Sequence, residues 1–322
     1  MKLKLGDFFK FVIEQGIKAD PRGESVVKSD LQNVKAKYEK LSEEDKKEFD
    51  QQKLVNPYAD SRVLYGDENT EIKTVMVGID AEEPEVLLLD ALRTRGKKVD
   101  LLIAHHPEGK AYATFYEVMG IQAPILAKYG VPISVAEGLM EPRIKEIGRR
   151  VSGLNHTRAV DAAQLLDVPM VCIHTPADNH VASFLQKMFE KEKVERLEDA
   201  VKLLKSVPEY KYAASYGQGP KILVGSPDRH VGKVFVDMTG GTEGSAKLLE
   251  KLTTAGVSTV IAMHMSDEHY KDAQSANLNV IIAGHISSDN LGLNLLFDKV
   301  EKKYGKLNII PCSGFVRYCH SS

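Results

Sequence analysis

The sequence predicts an α/β protein built from two similar α/β lobes, related by internal duplication, with a site between them and an N-terminal helical extension. Short apolar runs rich in β-branched residues alternate with helical stretches from about residue 72. One strand–helix–strand phrase occurs twice in the chain. The length of 322 residues also suits one large or two medium domains, and we expect two lobes.

The first 65 residues differ from the rest of the chain. The stretch "KSDLQNVKAKYEKLSEEDKKEFDQQKL" is dense in charge and sparse in apolar residues. Within it, Ser42 followed by Asp45 resembles an N-cap box at the start of a helix. We therefore predict that residues 1–65 form a charged helical extension, lying on the surface of the core or of a neighbouring subunit.

The first lobe is predicted over residues 66–190. "IKTVMVGID", "EPEVLLLDALRTRG" and "KVDLLIAHH" are typical of a strand, a helix and a strand in one right-handed βαβ unit. Residues 191–231 follow as a linker, in which "KMFEKEKVERLEDAVKLLKSVPEYK" indicates amphipathic helix and "YGQGPKILVGSPDRHVG" indicates loops with a short strand.

The second lobe is predicted over residues 232–322. "GKVFVDMTGG", "SAKLLEKLTTAG" and "VSTVIAMHMSDEH" repeat the order and nearly the spacings of the first unit, and "LLEKLTTAG" aligns with "LLDALRTRG". Both copies end their second strand in histidine, at His105 and His264. Duplication of one lobe explains the match and predicts a site between the lobes, although two ordinary βαβ units could also converge on it.

Composition narrows the classes of partner. With 43 basic and 45 acidic residues and a net charge of −2, the chain has no charge excess that predicts nucleic acid or an anionic membrane as partner. A small polar ligand is a better match to this balanced charge.

The N-terminal sequence is interrupted by charged residues before it can form a signal peptide, so we expect a cytoplasmic protein. Three cysteines are too few for a disulfide framework or a thiolate zinc site, so nitrogen and oxygen would hold any metal.

Three apolar runs end in histidine: "LLIAHHP" (His105, His106), "VPMVCIHTPADN" (His174, Asp178) and "LNVIIAGHISSDN" (His285, Asp289). Ligands collect beyond the carboxyl ends of strands in open α/β sheets, and a spacing of four residues puts each His–Asp pair on one face of a helical turn. Imidazole with carboxylate suits zinc, manganese, iron or cobalt, and such a set could hold two metals. The alternative for each element alone is an ordinary turn with satisfied side chains.

The loop "DMTGGTEGSAK" joins a predicted strand to a predicted helix and contains Gly240, Gly241 and Gly244. Its backbone amides could receive a phosphate or carboxylate group. Tight strand-to-helix turns also use glycine for conformational reasons, and the loop is neither a Walker motif nor a dinucleotide fingerprint. No GxSxG elbow or HExxH helix is present in the sequence.

"DLLIAHHP", "HTPAD" and "AGHISSDN", together with the earlier "TGG" turn, resemble the family of NGG-interacting factor three, also known as GTP cyclohydrolase I type 2 or dinuclear metal-centre proteins. The resemblance runs from about residue 60 to residue 318 and rests on motif order and spacing. It implies two α/β lobes with two divalent metal ions between them, and a homohexameric ring with the sites facing an internal cavity. The charged N-terminal segment has no counterpart in this resemblance.

The resemblance implies a set of metal ligands: His105, His106, Asp178, His285 and Asp289. This chain departs from the family pattern at Asp289, where glutamate is usual, and at Glu108 and Lys110, where large apolar residues are common. It also has Lys271 in place of the family's histidine before Asp-Ala, with His269 two residues earlier.

These observations predict a dinuclear metal-dependent hydrolase that acts on a nucleotide-like or phosphorylated small molecule, with His264 or His269 as a proton carrier. GTP cyclohydrolase activity is implied by the resemblance alone. The alternative is a non-catalytic metal-binding ring protein that stores metal, senses it or docks a partner. A third interpretation is a plain α/β binding module with structural histidines.

Overall fold

The structure, a computed structural model, describes residues 2–320. Within this range the chain forms nine strands: β1 (Arg62–Tyr65), β2 (Thr74–Gly78), β3 (Leu101–Ala104), β4 (Met170–Cys172), β5 (Lys221–Val224), β6 (Lys233–Asp237), β7 (Val257–Ala262), β8 (Asn279–Ile282) and β9 (Asn308–Pro311). Both predicted strand–helix–strand phrases are confirmed.

Helices fill most of the remaining chain. They are α1 (Leu5–Ala19), α2 (Glu24–Tyr38), α3 (Glu43–Glu48), α4 (Glu83–Thr94), α5 (Gly109–Thr114), α6 (Gln122–Tyr129), α7 (Ile133–Ser152), α8 (Arg158–Leu165), α9 (Thr175–Glu192), α10 (Leu197–Leu204), α11 (Pro208–Ser215), α12 (Leu248–Thr254), α13 (Asp267–Ser275) and α14 (His285–Tyr304). Short 3-10 turns cover Gln51–Leu54 and Phe115–Ile121. Among the described residues, no helix combines the length and the apolar character needed to cross a bilayer.

The two sheets share one arrangement of four strands, as internal duplication predicts, and the first sheet has β9 in addition. The first has the strand order β1-β4-β3-β2-β9 and the second the order β5-β8-β7-β6. In each sheet the first strand is antiparallel to its neighbour, whereas all other pairs are parallel. Strands β1 to β4 therefore correspond to β5 to β8, both in chain order and in sheet position.

Two strands belong to a sheet that the predicted segment boundaries do not imply. Strand β5 lies in the segment predicted as linker, yet it is the antiparallel edge of the second sheet. Strand β9 lies in the segment predicted as second lobe, yet it pairs in parallel with β2, with Ile309 opposite Val75. The chain thus returns to the first sheet, where β9 covers an edge that would otherwise leave unpaired backbone groups.

Helices pack on both faces of each sheet. Val77 and Ile103 point from the first sheet to α1 and α14, while Met76 and Leu102 point to α4 and α8 on the other face. One face of the second sheet packs against α9, α10, α11 and α14, and the other against α6, α7, α12 and α13. Because α9 and α14 contribute to the cores of both sheets, they form the central layer of the molecule.

Helices α9 and α14 cross at Gly292. A Cβ atom added there would lie 2.6 Å from the carbonyl oxygen of Ala177. Only glycine permits so close an approach of the two backbones. The crossing brings the N-terminal turns of both helices, which carry the predicted ligands, to one place.

The N-terminal segment is helical as predicted, and the cap at Ser42 is confirmed: its Oγ accepts a hydrogen bond from the backbone N–H of Asp45 at 3.1 Å. Its predicted surface position is wrong for α1. Leu5, Phe8 and Val12 are fully buried and pack with the inner face of the first sheet. The apolar residues of α1 follow helical spacing and form one face, which the charge of the following helices obscures at the sequence level.

Candidate metal centre

His105 and His106 lie where β3 ends. The backbone N–H of His105 donates to the carbonyl oxygens of Gly78 and Ile79 at 3.0 and 3.1 Å, and that of His106 donates to Ile79 at 2.9 Å. These bonds extend the pairing with β2 beyond Ala104 and fix both side chains at the carboxyl edge of the first sheet. The two rings lie 5.3 Å apart between centroids, and His105 is fully buried.

Each His–Asp pair lies at the start of a central helix. His174 is the residue before the first turn of α9, and its Nε2 lies 3.7 Å from Oδ2 of Asp178. His285 is the first residue of α14, and its Nε2 lies 3.6 Å from Oδ2 of Asp289. The predicted helical turn after each histidine is confirmed, because the spacing of four residues puts both side chains of each pair on one face.

All five ligands predicted from the sequence lie in one cluster, with the carboxylate of Asp289 at its centre. Oδ1 of Asp289 lies 3.4 Å from Nε2 of His105, which is itself 3.4 Å from Oδ1 of Asp178. Oδ2 of Asp289 lies 3.5 Å from Nε2 of His106 and 3.6 Å from Nε2 of His285. The two carboxylate oxygens therefore face different histidines.

Three groups of side chains could each hold a metal ion, since their ligand atoms lie within 4.8 Å of one another: His105, His106 and His174; His106, His285 and Asp289; and His105, Asp178 and Asp289. His174 thus belongs to the cluster, although the family resemblance supplies only the aspartate of its motif. Its position at the end of an apolar strand was the sequence signal that pointed to it.

Several of these ligand atoms have no hydrogen-bond partner. Both ring nitrogens of His105, Oδ1 of Asp178 and both oxygens of Asp289 are buried and unpartnered within the described chain. Leaving such atoms unsatisfied is costly, so native proteins rarely do so. Ligand atoms about 2.1 Å from a tetrahedral metal lie about 3.4 Å apart, which is close to the separations found here. The donor set therefore fits a bound cation.

Electrostatics also favour positive charge in the cluster. Burial by itself lowers the pKa of His105, but the carboxylates of Asp289 and Asp178 raise it to about 10. Burial also lowers the pKa of His106. Asp289 and Asp80 outweigh this effect and raise that pKa to about 9. Burial is the largest influence on His285 and lowers its pKa. The carboxylates therefore favour positive charge at this site.

Two aspartates outside the predicted set orient the histidines. Oδ2 of Asp60 lies 2.8 Å from Nδ1 of His174, and Oδ1 of Asp80 lies 2.6 Å from Nδ1 of His106. A carboxylate that accepts from Nδ1 leaves Nε2 free to bind a metal, which is the usual support of a metal-binding histidine. Asp80 follows β2, so its strand-end position could have suggested it. Asp60 had no local sequence signal.

A cleft of about 70 Å³ lies over this cluster. His174, Asp178 and His285 line one part of it, and residues that follow β6 and β7 line the rest, among them Glu243 and His264. The ring of His264 lies 4.9 Å from that of His285, and its Nδ1 lies 3.3 Å from Oε1 of Glu243. Both sheets therefore contribute polar side chains to the cleft.

Comparison with known proteins gives the family. The profile of Duf34/NIF3 (NGG1p interacting factor 3) matches residues 149–313, which is just over half of the chain. A crystal structure of a NIF3 superfamily protein from Sphaerobacter thermophilus is 30% identical, with a TM-score of 0.70, over 80% of this chain and 92% of that one. The chain belongs to the NIF3 family.

More distant structural similarity accompanies these matches. Reduced HcgD from Methanocaldococcus jannaschii is 16% identical over 77% of this chain and 87% of that one, with a TM-score of 0.48. TTHA1606 from Thermus thermophilus is 18% identical over 78% and 86%, with a TM-score of 0.43. The search of curated proteins found no significant match.

Sheet register corrects the position that the repeat assigns to His264 in this NIF3 protein. Ala104 accepts a hydrogen bond from the N–H of Ile173, and Ala262 accepts one from the N–H of Ala283, both at 2.9 Å. Ala104 and Ala262 are therefore equivalent, and His264, two residues later, corresponds to His106 rather than to His105. Matching the two strands by the histidine that ends each had therefore misplaced His264 by one residue.

His269 does not line the cleft over the cluster. Ser266 caps α13, and its Oγ lies 2.7 Å from Nδ1 of His269, whose Nε2 lies 3.2 Å from the carbonyl oxygen of Gly244. His269 is therefore a buried residue that fixes the preceding loop. Of the two proton carriers expected from the sequence, the structure places only His264 over the cluster.

Packing explains the glycines of the loop after β6. Gly240 and Gly241 both have positive φ, and a Cβ atom at Gly240 would lie 2.6 Å from the side chain of Gln122. Nε2 of Gln122 donates to the carbonyl oxygens of Gly240 and Thr242, both at 2.7 Å. Helix α12 begins at Leu248, four residues after Gly244. Anion binding by Gly240, Gly241 and Gly244 stays a prediction.

Proposed function

We propose that this NIF3 protein holds two divalent metal ions and is a metal-dependent hydrolase acting on a nucleotide-like or phosphorylated small molecule. The observation that carries the proposal is the position of Asp289, whose two buried, unpartnered oxygens face different histidines. One carboxylate in that arrangement can bridge two ions. GTP cyclohydrolase chemistry and a homohexamer are further proposals that rest on the resemblance alone.

The ligands divide into two sets that share Asp289. On one side His105 and Asp178 would bind the first ion, with His174 grouped beside both His105 and His106. On the other, His106 and His285 would bind the second. Nitrogen and oxygen ligands without thiolate suit zinc, manganese, iron or cobalt. Bound divalent ions supply Lewis acidity, which lowers the pKa of water and polarises the bond under attack.

The protein's own residues have distinct roles in this proposal. Asp60 and Asp80 hold the rings of His174 and His106 in the orientation that presents Nε2 to the cluster. His264, paired with Glu243 at the edge of the cleft, is placed to carry a proton, and Glu243 raises its pKa. Polar groups on the open side of the cluster favour a hydrolase over a closed storage site.

Metal content of the purified protein tests the proposal. The protein is isolated without a metal-affinity step and compared by elemental analysis with a His105→Ala, His106→Ala double variant. A His156→Ala, His230→Ala variant removes two histidines outside the cluster and serves as the matched control. We expect two transition-metal ions per chain in the wild type and control, and loss of both in the first variant.

Two outcomes separate the parts of this proposal. Failure of the folded wild type to bind metal, even with added zinc or manganese, contradicts the metal centre. Metal-loaded protein that hydrolyses none of a panel of nucleotides and phosphate esters contradicts the hydrolase function. That result would favour the non-catalytic alternative, a ring protein that stores metal, senses it or docks a partner.

A further inference from the structure

A second cavity, of about 620 Å³, opens beside His285. Its walls come from α11, from the first turn of α14 and from the chain after β9, and we call it the tyrosine pocket. Its apolar lining includes Tyr212, Tyr216, Phe315, Tyr318 and Ile286. It is much larger than the cleft over the metal ligands, and its size suits the bulk of a small-molecule ligand.

The tyrosines of this pocket group together while remaining accessible. The ring of Tyr212 lies 5.0 Å from that of Tyr216 and 6.3 Å from that of Tyr318, with interplanar angles of 61° and 60°. Tyr212 is 40% exposed, Tyr216 is 68% exposed, and Ile286 beside them is 41% exposed. Grouped, accessible aromatic side chains at a concave surface are typical of a binding site for an apolar ring.

Buried polar atoms at the pocket lack partners. Oε1 of Glu209, a residue only 2% exposed, accepts from Nδ2 of Asn294 at 2.8 Å and lies 2.7 Å from Nε2 of His320. Oε2 of Glu209 and Oγ of Ser287 have no hydrogen-bond partner in the described chain. Both residues line the pocket. Oε2 of Glu209 is therefore available to accept a hydrogen bond from an N–H or O–H group of a ligand.

His285 connects the pocket to the metal centre. It lines the tyrosine pocket, and its Nε2 faces Asp289 in the ligand cluster. Its side chain is 39% exposed, so it forms an accessible wall between the two. A ligand whose ring lies among the tyrosines therefore has its nearest end beside the proposed metals.

We propose that the tyrosine pocket binds the non-reacting part of the substrate, a planar aromatic ring with hydrogen-bond donors, while its anionic group reaches the metals past His285. Only the contact between the anionic group and the metals rests on the proposed function. The ring contact is a property of the pocket itself, so the two can fail separately.

The first experiment examines the ring contact without metal. Binding of 2-naphthol, a planar ring with one O–H donor, is measured by fluorescence titration of the full-length protein after metal removal. We expect saturable binding that weakens about tenfold in Tyr212→Leu and Tyr318→Leu, because each variant removes an aromatic contact. Tyr212→Phe keeps the ring and should bind as the wild type does. Tyr38→Leu, which alters a tyrosine that contacts Phe49 instead, is the matched control.

The second experiment links the pocket to the metal centre. Zinc-loaded protein is titrated calorimetrically with phenylphosphonate and with methylphosphonate, which share an anionic group and differ in the ring. We expect phenylphosphonate to bind at least about tenfold more tightly, since its ring is removed from water. Tyr212→Leu should remove this preference and leave the affinity for methylphosphonate unchanged.

The outcomes are distinguishable. Absence of 2-naphthol binding, or equal binding by all variants, overturns the pocket. Binding of 2-naphthol with equal affinity for the two phosphonates overturns its connection to the metals. If 2-naphthol binds in a tyrosine-dependent way and neither phosphonate binds, the pocket is supported and the proposed phosphate-directed function fails instead.

Discussion

Nδ1 of His174 lies 2.8 Å from Oδ2 of Asp60, although 114 residues separate them in the chain. The same carboxylate oxygen accepts from Oγ1 of Thr175 at 2.6 Å, and Asp60 is fully buried. Asp60 lies in the segment predicted as an N-terminal extension, two residues before the start of β1. The segment is therefore part of the candidate metal centre, because it holds one of the histidine rings in place.

Asp60→Asn should weaken zinc binding by about tenfold to a hundredfold, the usual effect of removing a carboxylate that supports a metal-binding histidine. The physical reason is the loss of the charged hydrogen-bond partner that fixes the ring orientation of His174. Competition with a chromophoric chelator measures the affinity. Asp67→Asn, an exposed position in the following loop, is the control. Unchanged affinity in Asp60→Asn would contradict the role of Asp60 in supporting a metal-binding histidine.

Asp289→Ala should lower the bound metal from two ions per chain to one or none, because the proposed bridge between both ligand sets is lost. Asp289→Glu restores the family's usual residue and should keep both ions. Elemental analysis gives the metal content, and circular dichroism establishes that each variant is folded. A folded Asp289→Ala protein with full metal content would exclude Asp289 as a ligand.

His264→Ala should reduce hydrolysis by about a hundredfold or more while leaving metal content unchanged, as expected for a residue that carries a proton without binding metal. Activity is measured on whichever nucleotide or phosphate ester the metal-loaded wild type hydrolyses. Glu243→Gln should reduce it less, since the imidazole stays but loses its charged partner. His230→Ala, at an exposed histidine away from the cleft, is the control. Equal activity in His264→Ala and the control would contradict this role.

Phe8→Ala should lower the free energy of unfolding by about 3–5 kcal/mol, because it removes a fully buried ring from the core between α1 and the first sheet. Urea unfolding followed by circular dichroism measures the change. Val26→Ala, at a position 41% exposed on α2, should have a small effect.

Deletion of residues 1–60 should yield insoluble protein, because it also exposes the apolar face of the first sheet that α1 covers. A soluble, metal-binding deletion would show that α1 is an appendage after all.

Local patterns predicted the parts of this fold that depend on near neighbours. The runs of apolar, β-branched residues located β2, β3, β6 and β7, and the i, i+4 spacing located the His–Asp pairs on α9 and α14. Pairing of β9 with β2, by contrast, joins residues more than 230 positions apart. The contact of Asp60 with His174 is also distant in sequence. Such contacts arise only when the sheets and central helices assemble, so no local pattern contains them.

Asp50 forms a nearly buried ion pair that ties the N-terminal segment to β1. Its carboxylate contacts the guanidinium of Arg62, and the two side chains are 12% and 5% exposed. Burial raises the pKa of Asp50, but the hydrogen bond and charge of Arg62 outweigh it, and the pKa is lowered below the ordinary 3.8. A lowered pKa in the folded state means that the pair stabilises the protein at neutral pH. That contribution is lost as the pH falls below about 4 and through the folded-state pKa.

Asp50→Asn should therefore destabilise the protein by about 2–4 kcal/mol at pH 7, because Arg62 is left buried without its counter-charge. The difference from the wild type should shrink as the pH falls below about 4 towards the lowered folded-state pKa of Asp50, because the wild-type carboxylate is then progressively protonated. Urea unfolding of both proteins at several pH values between 3 and 7 measures this trend. Glu44→Gln, at an exposed acid of the neighbouring helix, should show no such trend. A difference that stays constant or grows on acidification would show that the charge of Asp50 is not what stabilises this contact.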